Sequence, residues 1–470
     1  MTATRPDFTL PQLEERVLST MNADGTRRWM DPREVSGSWH RRRTVVAWAL
    51  IALFAVLPWV RIGGKPPILL DVMTRHFTFF GTTFRPTETP LIAVLMAMVF
   101  VTVFLMTALA GRVWCGWGCP QTVYLEFVYR PLERWLAGGR GRAVAGWRRL
   151  AVYAAFLLVS AHLANTFLAY FVGTDRLTQW TLGNPASHPT AFAVFAVVTG
   201  LMMFDFAFFR EQLCTLVCPY GRLQSALLDR DSLIVAYDPA RGEPRGSMAA
   251  QRATQARGER AGDCVDCSWC QQVCPTGIDI RNGLQMECLH CTQCIDACDS
   301  VMAKVGKAKG LIRYASQRRI AGERRSGVRW RVMIYGTVLA GLAATFVWLL
   351  SHRMPTLVEQ VRLVGVNFTE REGGRIETPV RLLVENRTPA RRSYAVAGLG
   401  DVFLATTVEP VQVEAAEAAT VNLLVVTPAE SFIRGTRTGV LRITDDRGDS
   451  VEVRLSIAGP FNGPPTGAAP

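Results

Sequence analysis

The sequence is poor in charged residues and especially in lysine. Charged residues make up 19% of its 470 residues and hydrophobic ones 49%, a balance that favours a membrane protein. Only four lysines accompany the arginines that bring the net charge to +13. Because no module of interleaved aromatic and basic residues is present, nucleic acid is not an expected partner. The arginines are expected to set topology and to contact anionic lipid.

Two further absences concern location and chemistry. Segment 1–43 is polar and lacks an apolar run, so we expect a cytoplasmic segment and no cleavable signal peptide. All twelve cysteines lie between Cys115 and Cys298. The remaining C-terminal region therefore has no disulfide framework. The length of the chain predicts roughly two to four domains.

Five long apolar runs predict a multi-pass membrane protein. They cover Val45–Val60, Leu91–Ala110, Leu150–Val172, Ala191–Phe209 and Val332–Leu350. A spanning helix needs about 20 residues; four runs meet this length, and the short first run has Trp48 and Trp59 as interfacial anchors. A buried globular helix is the alternative for any single run. We expect a four-helix membrane region at 44–230 and a fifth helix at 330–351.

The positions of the arginines predict the orientation of these spans. Arg41, Arg42 and Arg43 precede the first span, seven arginines lie between the second and third, and only Arg176 lies between the third and fourth. Cytoplasmic loops carry the excess of basic residues, so we expect the N-terminus inside and the C-terminus outside a bacterial inner membrane. All cysteines then lie on the reducing side or at its membrane border, where thiolates stay free for metals.

Eight cysteines form two runs with the spacing C-x2-C-x2-C-x3-C. The first run is Cys264, Cys267, Cys270 and Cys274, followed by Pro275; the second is Cys288, Cys291, Cys294 and Cys298, followed by Asp299. In two-cluster ferredoxins the fourth cysteine of each run ligates the other 4Fe-4S cluster. The predicted ligand sets are therefore Cys264, Cys267, Cys270 and Cys298, and Cys288, Cys291, Cys294 and Cys274. Zinc knuckles are the alternative, but a zinc ion needs only four ligands per site, which does not explain this crossed pattern of eight cysteines.

The other four cysteines belong to a repeated C-x3-C-P motif. They are Cys115 and Cys119 before Pro120, and Cys214 and Cys218 before Pro219. Each motif begins five residues after the predicted end of a span, which indicates a duplicated unit of two spans and one motif. Because helix positions i and i+4 share a face, each pair is expected to present two sulfurs on one side. The four would converge if spans two and four pack together.

Soft thiolates at such a site select Cu(I), zinc or iron–sulfur clusters. Copper suits the softness of the ligands and the position at the membrane edge. A third cluster stays open, although the x3 spacing does not match the loop that binds three irons. A structural role for small buried residues at helix ends also stays open.

The chain after the fifth span has a different pattern. Short alternating segments occur at Val358–Val364, Thr378–Val384, Val411–Val413, Thr420–Val426, Gly439–Ile443 and Val451–Ile457, and Asp445–Gly448 has a hairpin-turn signal. They predict a periplasmic β-sandwich at 356–458. We further expect a linker at 231–262, polar from Asp238 to Gly262, a ferredoxin-like domain at 263–315, and a disordered tail at 459–470.

The stretch Gly262–Asp299, which contains both cysteine runs, resembles the CcoG/RdxA/FixG family. Similar segments are D-P-R-E-V-S-G at Asp31–Gly37, F-T-F-F-G at Phe77–Gly81, Y-D-P-A-R-G-E-P-R-G at Tyr237–Gly246 and G-L-I-R-Y at Gly310–Tyr314. The family consists of membrane-bound, ferredoxin-like accessory proteins for the assembly of cbb3-type cytochrome c oxidase. The resemblance spans nearly the whole chain, including both C-x3-C-P motifs and a C-terminal immunoglobulin-like domain.

The resemblance implies a cupric reductase that produces Cu(I) for the copper centre of that oxidase. Its partners would be membrane lipid, a copper chaperone or transporter and the oxidase assembly; a homodimer is left open. A cytosolic donor or the quinol pool would reduce two 4Fe-4S clusters, which pass one electron at a time to copper at Cys115, Cys119, Cys214 and Cys218. The competing hypothesis is an electron-transfer subunit, similar to the NapH and NosR groups, that feeds a periplasmic reductase and has no substrate of its own.

Overall fold

The computed structural model describes residues 19–461, except 23, 25, 63, 65, 73–75, 81, 85–87, 139–145, 324–328, 362–367, 389, 401, 405–408 and 416. The chain divides into two compact units, Met1–Phe346 and Val347–Pro470. Residues 1–18 of the predicted N-terminal segment and residues 462–470 of the predicted tail lie outside the described residues.

The first unit is mainly helical. Its helices are α1 (Ser38–Val56), α2 (Thr89–Ala110), α3 (Val113–Trp117), α4 (Pro120–Tyr124), α5 (Arg130–Ala137), α6 (Gly146–Val172), α7 (Thr174–Leu182), α8 (Pro189–Phe204), α9 (Pro219–Leu227), α10 (Pro239–Gly242), α11 (Met248–Ala256), α12 (Trp269–Gln272), α13 (Gln293–Lys304), α14 (Gln317–Ile320) and α15 (Trp330–Ser351), the last of which continues into the second unit. Strands β1 (Ile68–Asp71), β2 (His76–Phe79) and β3 (Thr82–Phe84) form one antiparallel sheet, and β4 (Ile234–Tyr237) pairs with β5 (Ile312–Ala315).

Within the described residues, five helices are long and apolar enough to cross a membrane. They are Ser38–Trp59, Thr89–Ala110, Gly146–Val172, Pro189–Phe209 and Trp330–Ser351. This confirms the five apolar helices expected from sequence, while their orientation stays a prediction. The first begins at Ser38 rather than Val45 because the Asp296 carboxylate accepts hydrogen bonds from the backbone N–H groups of Trp39 (3.2 Å) and His40 (2.6 Å). Such a cap lets the helix extend through its polar first turn.

The segment Asp238–Gly262 is folded, which corrects the prediction of a linker. It contains α10 and α11, and the Gln251 side chain donates to the carbonyl oxygen of Cys264 at 2.7 Å. Lys307 Nζ donates to Gln251 Oε1 at 2.6 Å and to the carbonyl oxygen of Gly262 at 3.1 Å. The polar residues that suggested a solvated linker instead bond to the cysteine region. The pairing of β4 with β5 likewise extends this region upstream of residue 263.

The second unit is an antiparallel β-sandwich, as predicted. Its strands are β6 (Thr356–Val361), β7 (Thr369–Arg371), β8 (Arg375–Asn386), β9 (Arg392–Leu399), β10 (Phe403–Leu404), β11 (Val411–Val413), β12 (Ala418–Pro428), β13 (Thr436–Asp445) and β14 (Ser450–Ala458). One sheet has the order β10-β12-β8-β6 with β7 on β8, and the other β11-β9-β13-β14. Leu382 and Val425 from one sheet and Tyr394 and Leu441 from the other form its core. The end of the predicted strand Val358–Val364 lies outside the described residues.

Candidate metal centres

The two cysteine runs line two small cavities. The first cavity is lined by Cys264, Cys267, Cys270 and Cys298. The second is lined by Cys274, Cys288, Cys291 and Cys294, with Cys270 also at its wall. These groups correspond to the predicted crossed ligand sets. The structure therefore brings together the cysteines that the spacing pairs, while their role as ligands stays a prediction.

The same backbone geometry recurs in both runs and directs the sulfurs inward. Asp266 and Ser268 in the first run, and His290 and Thr292 at the matching positions of the second, have φ values of 51°, 55°, 55° and 66°. Non-glycine residues rarely adopt this left-handed region. The shared sequence of turns wraps each run around its cavity before a helix begins, at Trp269 in one case and at Gln293 in the other.

The thiols of these runs fit a bound iron–sulfur cluster. All twelve cysteines are free of disulfides, and thiolates are the ligands that hold 4Fe-4S clusters. Burial raises the pKa of Cys270, Cys288 and Cys298 to about 12 in each case. Such thiols ionise when a metal supplies positive charge, so the cavities suit a multi-iron group.

Each C-x3-C-P motif contains a break between two helical segments. Cys115 lies in α3 and Cys214 in the π-helical turn Leu213–Val217, whereas Cys119 and Cys218 are extended, with ψ values of 125° and 107°. A residue that precedes proline avoids the α conformation. The prediction that each pair shares one helix face is therefore wrong, and the proline after each second cysteine explains why.

The four cysteines of the two motifs nevertheless come together. Cys115 and Cys214 pack in one cluster, and the pKa of Cys214 is raised by burial and by its nearness to Cys119, Cys115 and Cys218. The contact is made by α9, which follows the second motif and packs on α2; Gln224 on α9 donates to Thr107 Oγ1 at 3.1 Å. The fourth span packs chiefly on α6. The expected packing of spans two and four is therefore not what joins the motifs.

These thiols do not form a closed single-ion site. In the part of the chain that the structure describes, no three Cys, His, Asp or Glu side chains are arranged to hold one metal ion. A metal at the C-x3-C-P cysteines would therefore have two thiolates as ligands unless the other two moved inward. A pair of soft thiolates is a donor set that suits Cu(I).

The C-x3-C-P site adjoins the second cysteine run. Cys115, Leu289 and Cys291 form one buried cluster, and Cys214 and Tyr220 pack against it. Gly116 approaches so closely that a Cβ atom would lie 2.5 Å from the carbonyl oxygen of Leu289 and 2.9 Å from the backbone nitrogen of Cys291. A glycine is therefore required for α3 to rest on the second run.

Buried polar side chains that the sequence prediction missed surround Cys115. Its thiol donates to Gln224 Oε1 at 3.2 Å, and the Gln224 amide donates to the Tyr220 hydroxyl at 2.8 Å. Arg112 Nη2 lies 3.9 Å from Cys115 Sγ. Burial raises the pKa of Cys115, and the Arg112 guanidinium lowers it in part. Tyr220 and Gln224 follow the second motif one helical turn apart, which is the signal that could have pointed to them.

The segments that resemble the family pattern hold the cysteine region against the helices. Trp117 Nε1, inside the first motif, donates to the Tyr314 hydroxyl at 3.3 Å, and that hydroxyl donates to the carbonyl oxygen of His290 at 3.0 Å. The N–H of Arg33 donates to the carbonyl oxygen of Gln272 at 2.9 Å. Tyr314 thus connects the first C-x3-C-P motif to the second run, and Arg33 attaches Asp31–Gly37 to the first run.

Comparison with known proteins agrees with this organisation. A family model described as a 4Fe-4S dicluster domain matches residues 209–317, one described as a 4Fe-4S binding domain matches 92–142, and the IG-like fold at the C-terminal of FixG matches 346–464. Protein RdxA of Cereibacter sphaeroides is 31% identical over 466 residues, which cover 93% of this chain and 95% of RdxA. The chain belongs to the FixG/RdxA family.

Two further relatives extend the comparison. Protein RdxB of Cereibacter sphaeroides is 31% identical over 402 residues, which cover 80% of this chain and 83% of RdxB. Nitrogen fixation protein FixG of Rhizobium meliloti is 37% identical over 305 residues, which cover 62% of this chain and 57% of FixG. The chain is an iron–sulfur electron-transfer protein of this family, and its five apolar helices fit a membrane protein.

Proposed function

We propose that the protein reduces Cu(II) to Cu(I) at Cys115, Cys119, Cys214 and Cys218 and supplies the Cu(I) for the copper centre of a cbb3-type cytochrome c oxidase. The observation that supports this is that Cys115 belongs to one buried cluster with Leu289 and Cys291 of the second run, and that Cys214 packs against the same cluster. A soft thiol pair that favours Cu(I) then lies beside a one-electron carrier. Copper(II) reduction is a one-electron step, so the two chemistries match.

The residues around the site have defined tasks in this proposal. Clusters bound by the two runs would supply one electron at a time. Cys115 and Cys214 bind copper, and their softness stabilises Cu(I) relative to Cu(II). Gln224 accepts the Cys115 thiol proton in a hydrogen bond at 3.2 Å and is itself fixed by Tyr220 and Thr107, so it orients the sulfur and holds its proton until metal binds.

The proposed setting follows from the same chemistry. The side of the membrane that holds the cysteines is cytoplasmic, because reducing conditions keep twelve free thiols reduced. The β-sandwich then lies in the periplasm of a bacterial inner membrane. A copper chaperone or transporter and the oxidase assembly are the proposed partners, and the electron donor is a cytosolic protein or quinol.

The double variant Cys115→Ser/Cys214→Ser tests the copper site directly. The purified protein is loaded with Cu(II), reduced, and assayed for bound copper and for Cu(I) with a chromogenic chelator. We expect both clusters to be retained, judged by iron and sulfide, while copper binding and the reduction rate fall about tenfold or more. Cys264→Ser is the matched control, which should lose a cluster and keep its copper. Unchanged copper binding and rate in the double variant would contradict the proposal.

A second candidate function is an electron-transfer link without a substrate. The description of residues 92–142 as 4Fe-4S binding favours it, because Cys115 and Cys119 are the cysteines of that segment. With Cys214 and Cys218 they would then hold a third cluster. The iron content separates the two functions: two cubanes give about eight irons per chain and three give about twelve. Loss of about four irons in the double variant would support this candidate and remove the copper assignment.

A further inference from the structure

Arg112 is a buried cation at the junction of the two cysteine systems, and it is 2% exposed. Its Nη2 lies 3.9 Å from Cys115 Sγ, and its Nη1 donates to the carbonyl oxygen of Met286, just before the second run. Its backbone N–H donates to His290 Nδ1, inside that run, at 3.1 Å. A single residue thus contacts both systems.

The guanidinium of Arg112 also reaches the second C-x3-C-P motif. A Cβ atom on Gly221 would lie 2.8 Å from Arg112 Nη2 and 3.4 Å from the carbonyl oxygen of Cys214. The space for the cation therefore depends on a glycine shortly after the motif. Burial raises the pKa of Cys115 and Cys214, and the charge of Arg112 lowers the pKa of both thiols. The cation thus acts on both motifs.

Within the described residues, Arg112 has no carboxylate partner. Its nitrogens contact a carbonyl oxygen, a ring nitrogen and a sulfur, and its Nε is buried without a hydrogen-bond partner. Arg130, which is equally buried, is instead held between Glu126 and Glu211. A buried charge without a counter-ion is costly. The arrangement therefore favours an anionic partner for Arg112, and the thiolates of the C-x3-C-P motifs can serve as that partner.

We propose that Arg112 is a positioning residue that makes copper easier to reduce, because its guanidinium stabilises the anionic Cu(I)–thiolate complex more than the Cu(II) complex. The inference rests on the proposed copper site. Conversion of Cu(II) to Cu(I) takes up one electron from the iron–sulfur clusters, with no bond to carbon, oxygen or hydrogen made or broken. The site becomes more negative by one charge, whatever the number of thiolates bound. A fixed cation 3.9 Å from one of the sulfurs favours that product.

The affinities for the two copper oxidation states test this inference without relying on turnover. Full-length wild type, Arg112→Gln, Arg112→Lys and Gly221→Ala are titrated with Cu(I) and with Cu(II) against competing chelators. For Arg112→Gln we expect the ratio of Cu(I) to Cu(II) affinity to fall about tenfold or more, and tenfold corresponds to a copper potential about 59 mV lower. Arg112→Lys keeps the charge and should retain most of the ratio. Gly221→Ala displaces the guanidinium and should give an intermediate value.

Arg134→Gln is the matched control, because it removes the same charge from an arginine that pairs with Glu34 at 2.7 Å. It should leave the ratio unchanged. If Arg112→Gln loses its iron, Arg112→Lys and Gly221→Ala decide the question. An unchanged ratio in the Arg112 and Gly221 variants would overturn the inference while the copper site stands. Equal losses in Arg112→Gln and Arg112→Lys would also overturn it, because charge would then not be the cause. A wild type that binds no copper would refute the proposed function itself.

Discussion

Replacement of Gly116 by alanine should separate the two cysteine systems without removing a ligand from either. The new Cβ would lie 2.5 Å from the carbonyl oxygen of Leu289, whereas ordinary van der Waals contact begins near 3.4 Å. The obstacle is backbone, which does not rotate away, so α3 and the second run must move apart by about 0.9 Å. Overpacking of this kind costs about 1–3 kcal/mol of folding stability.

The assay for Gly116→Ala is the rate at which pre-reduced protein converts added Cu(II) to Cu(I), followed by rapid mixing. We expect the rate to fall several-fold, because the packing of α3 on the second run is loosened, while iron, sulfide and equilibrium Cu(I) affinity stay near the wild-type values. Gly200→Ala is the control, since a Cβ at Gly200 in α8 meets nothing within 4 Å. A wild-type rate in Gly116→Ala with both clusters present would refute the role of this contact.

Three further predictions concern the clusters, the first span and the sandwich. Cys264→Ser and Cys288→Ser should each remove about half of the iron and sulfide, measured chemically, because each run supplies most ligands of one cluster; retention of both clusters would contradict the ligand sets. Asp296→Ala should destabilise the start of α1 by about 0.5–2 kcal/mol, seen as faster amide exchange at Trp39 and beyond, and unchanged exchange would argue against the cap. Leu382→Ala should cost about 2–5 kcal/mol and lower the melting temperature of the sandwich in the full chain; an unchanged transition would contradict its core position.

The features that the sequence predicted best are those encoded locally. Apolar runs predict spanning helices because a helix satisfies all backbone hydrogen bonds within one apolar segment, and alternating segments predicted most strands of the sandwich. Strand β9 was missed because Arg392–Leu399 mixes alanine and glycine with few strongly apolar residues. The segment Asp238–Gly262 was misassigned because polar side chains that bond to a neighbouring loop have the same composition as those that bond to water.

The candidate site shows the same limit at the level of single residues. The cysteine spacing predicts the ligand sets, because a loop that wraps around a cubane cluster needs its cysteines at these intervals. The surroundings of Cys115 are not encoded in this way: Gln224 lies 109 residues further along the chain and Arg112 contacts His290 across 178 residues. Arg112 precedes Cys115 by only three residues, but only the folded chain shows that its guanidinium and the Gln224 amide both flank this thiol. The extended conformation of Cys119 and Cys218 differs in this respect, because the proline that follows each of them in the sequence imposes it.

The two runs differ in the helix that follows each of them and in the side chain that this helix offers to the first span. Pro275 follows the first run and α12 ends at Gln272, whereas Asp299 follows the second run and α13 continues to Lys304. A proline at that position would oppose the helix. Asp296, in the first turn of α13, accepts hydrogen bonds from the N-terminus of α1, and Asp299 accepts a hydrogen bond from the N–H of Gly310 at 2.8 Å. The aspartate in place of proline thus lets α13 continue beyond the second run and supplies an acceptor for the N–H of Gly310, while the carboxylate at Asp296, where the first run has Gln272, attaches the second run to the first span.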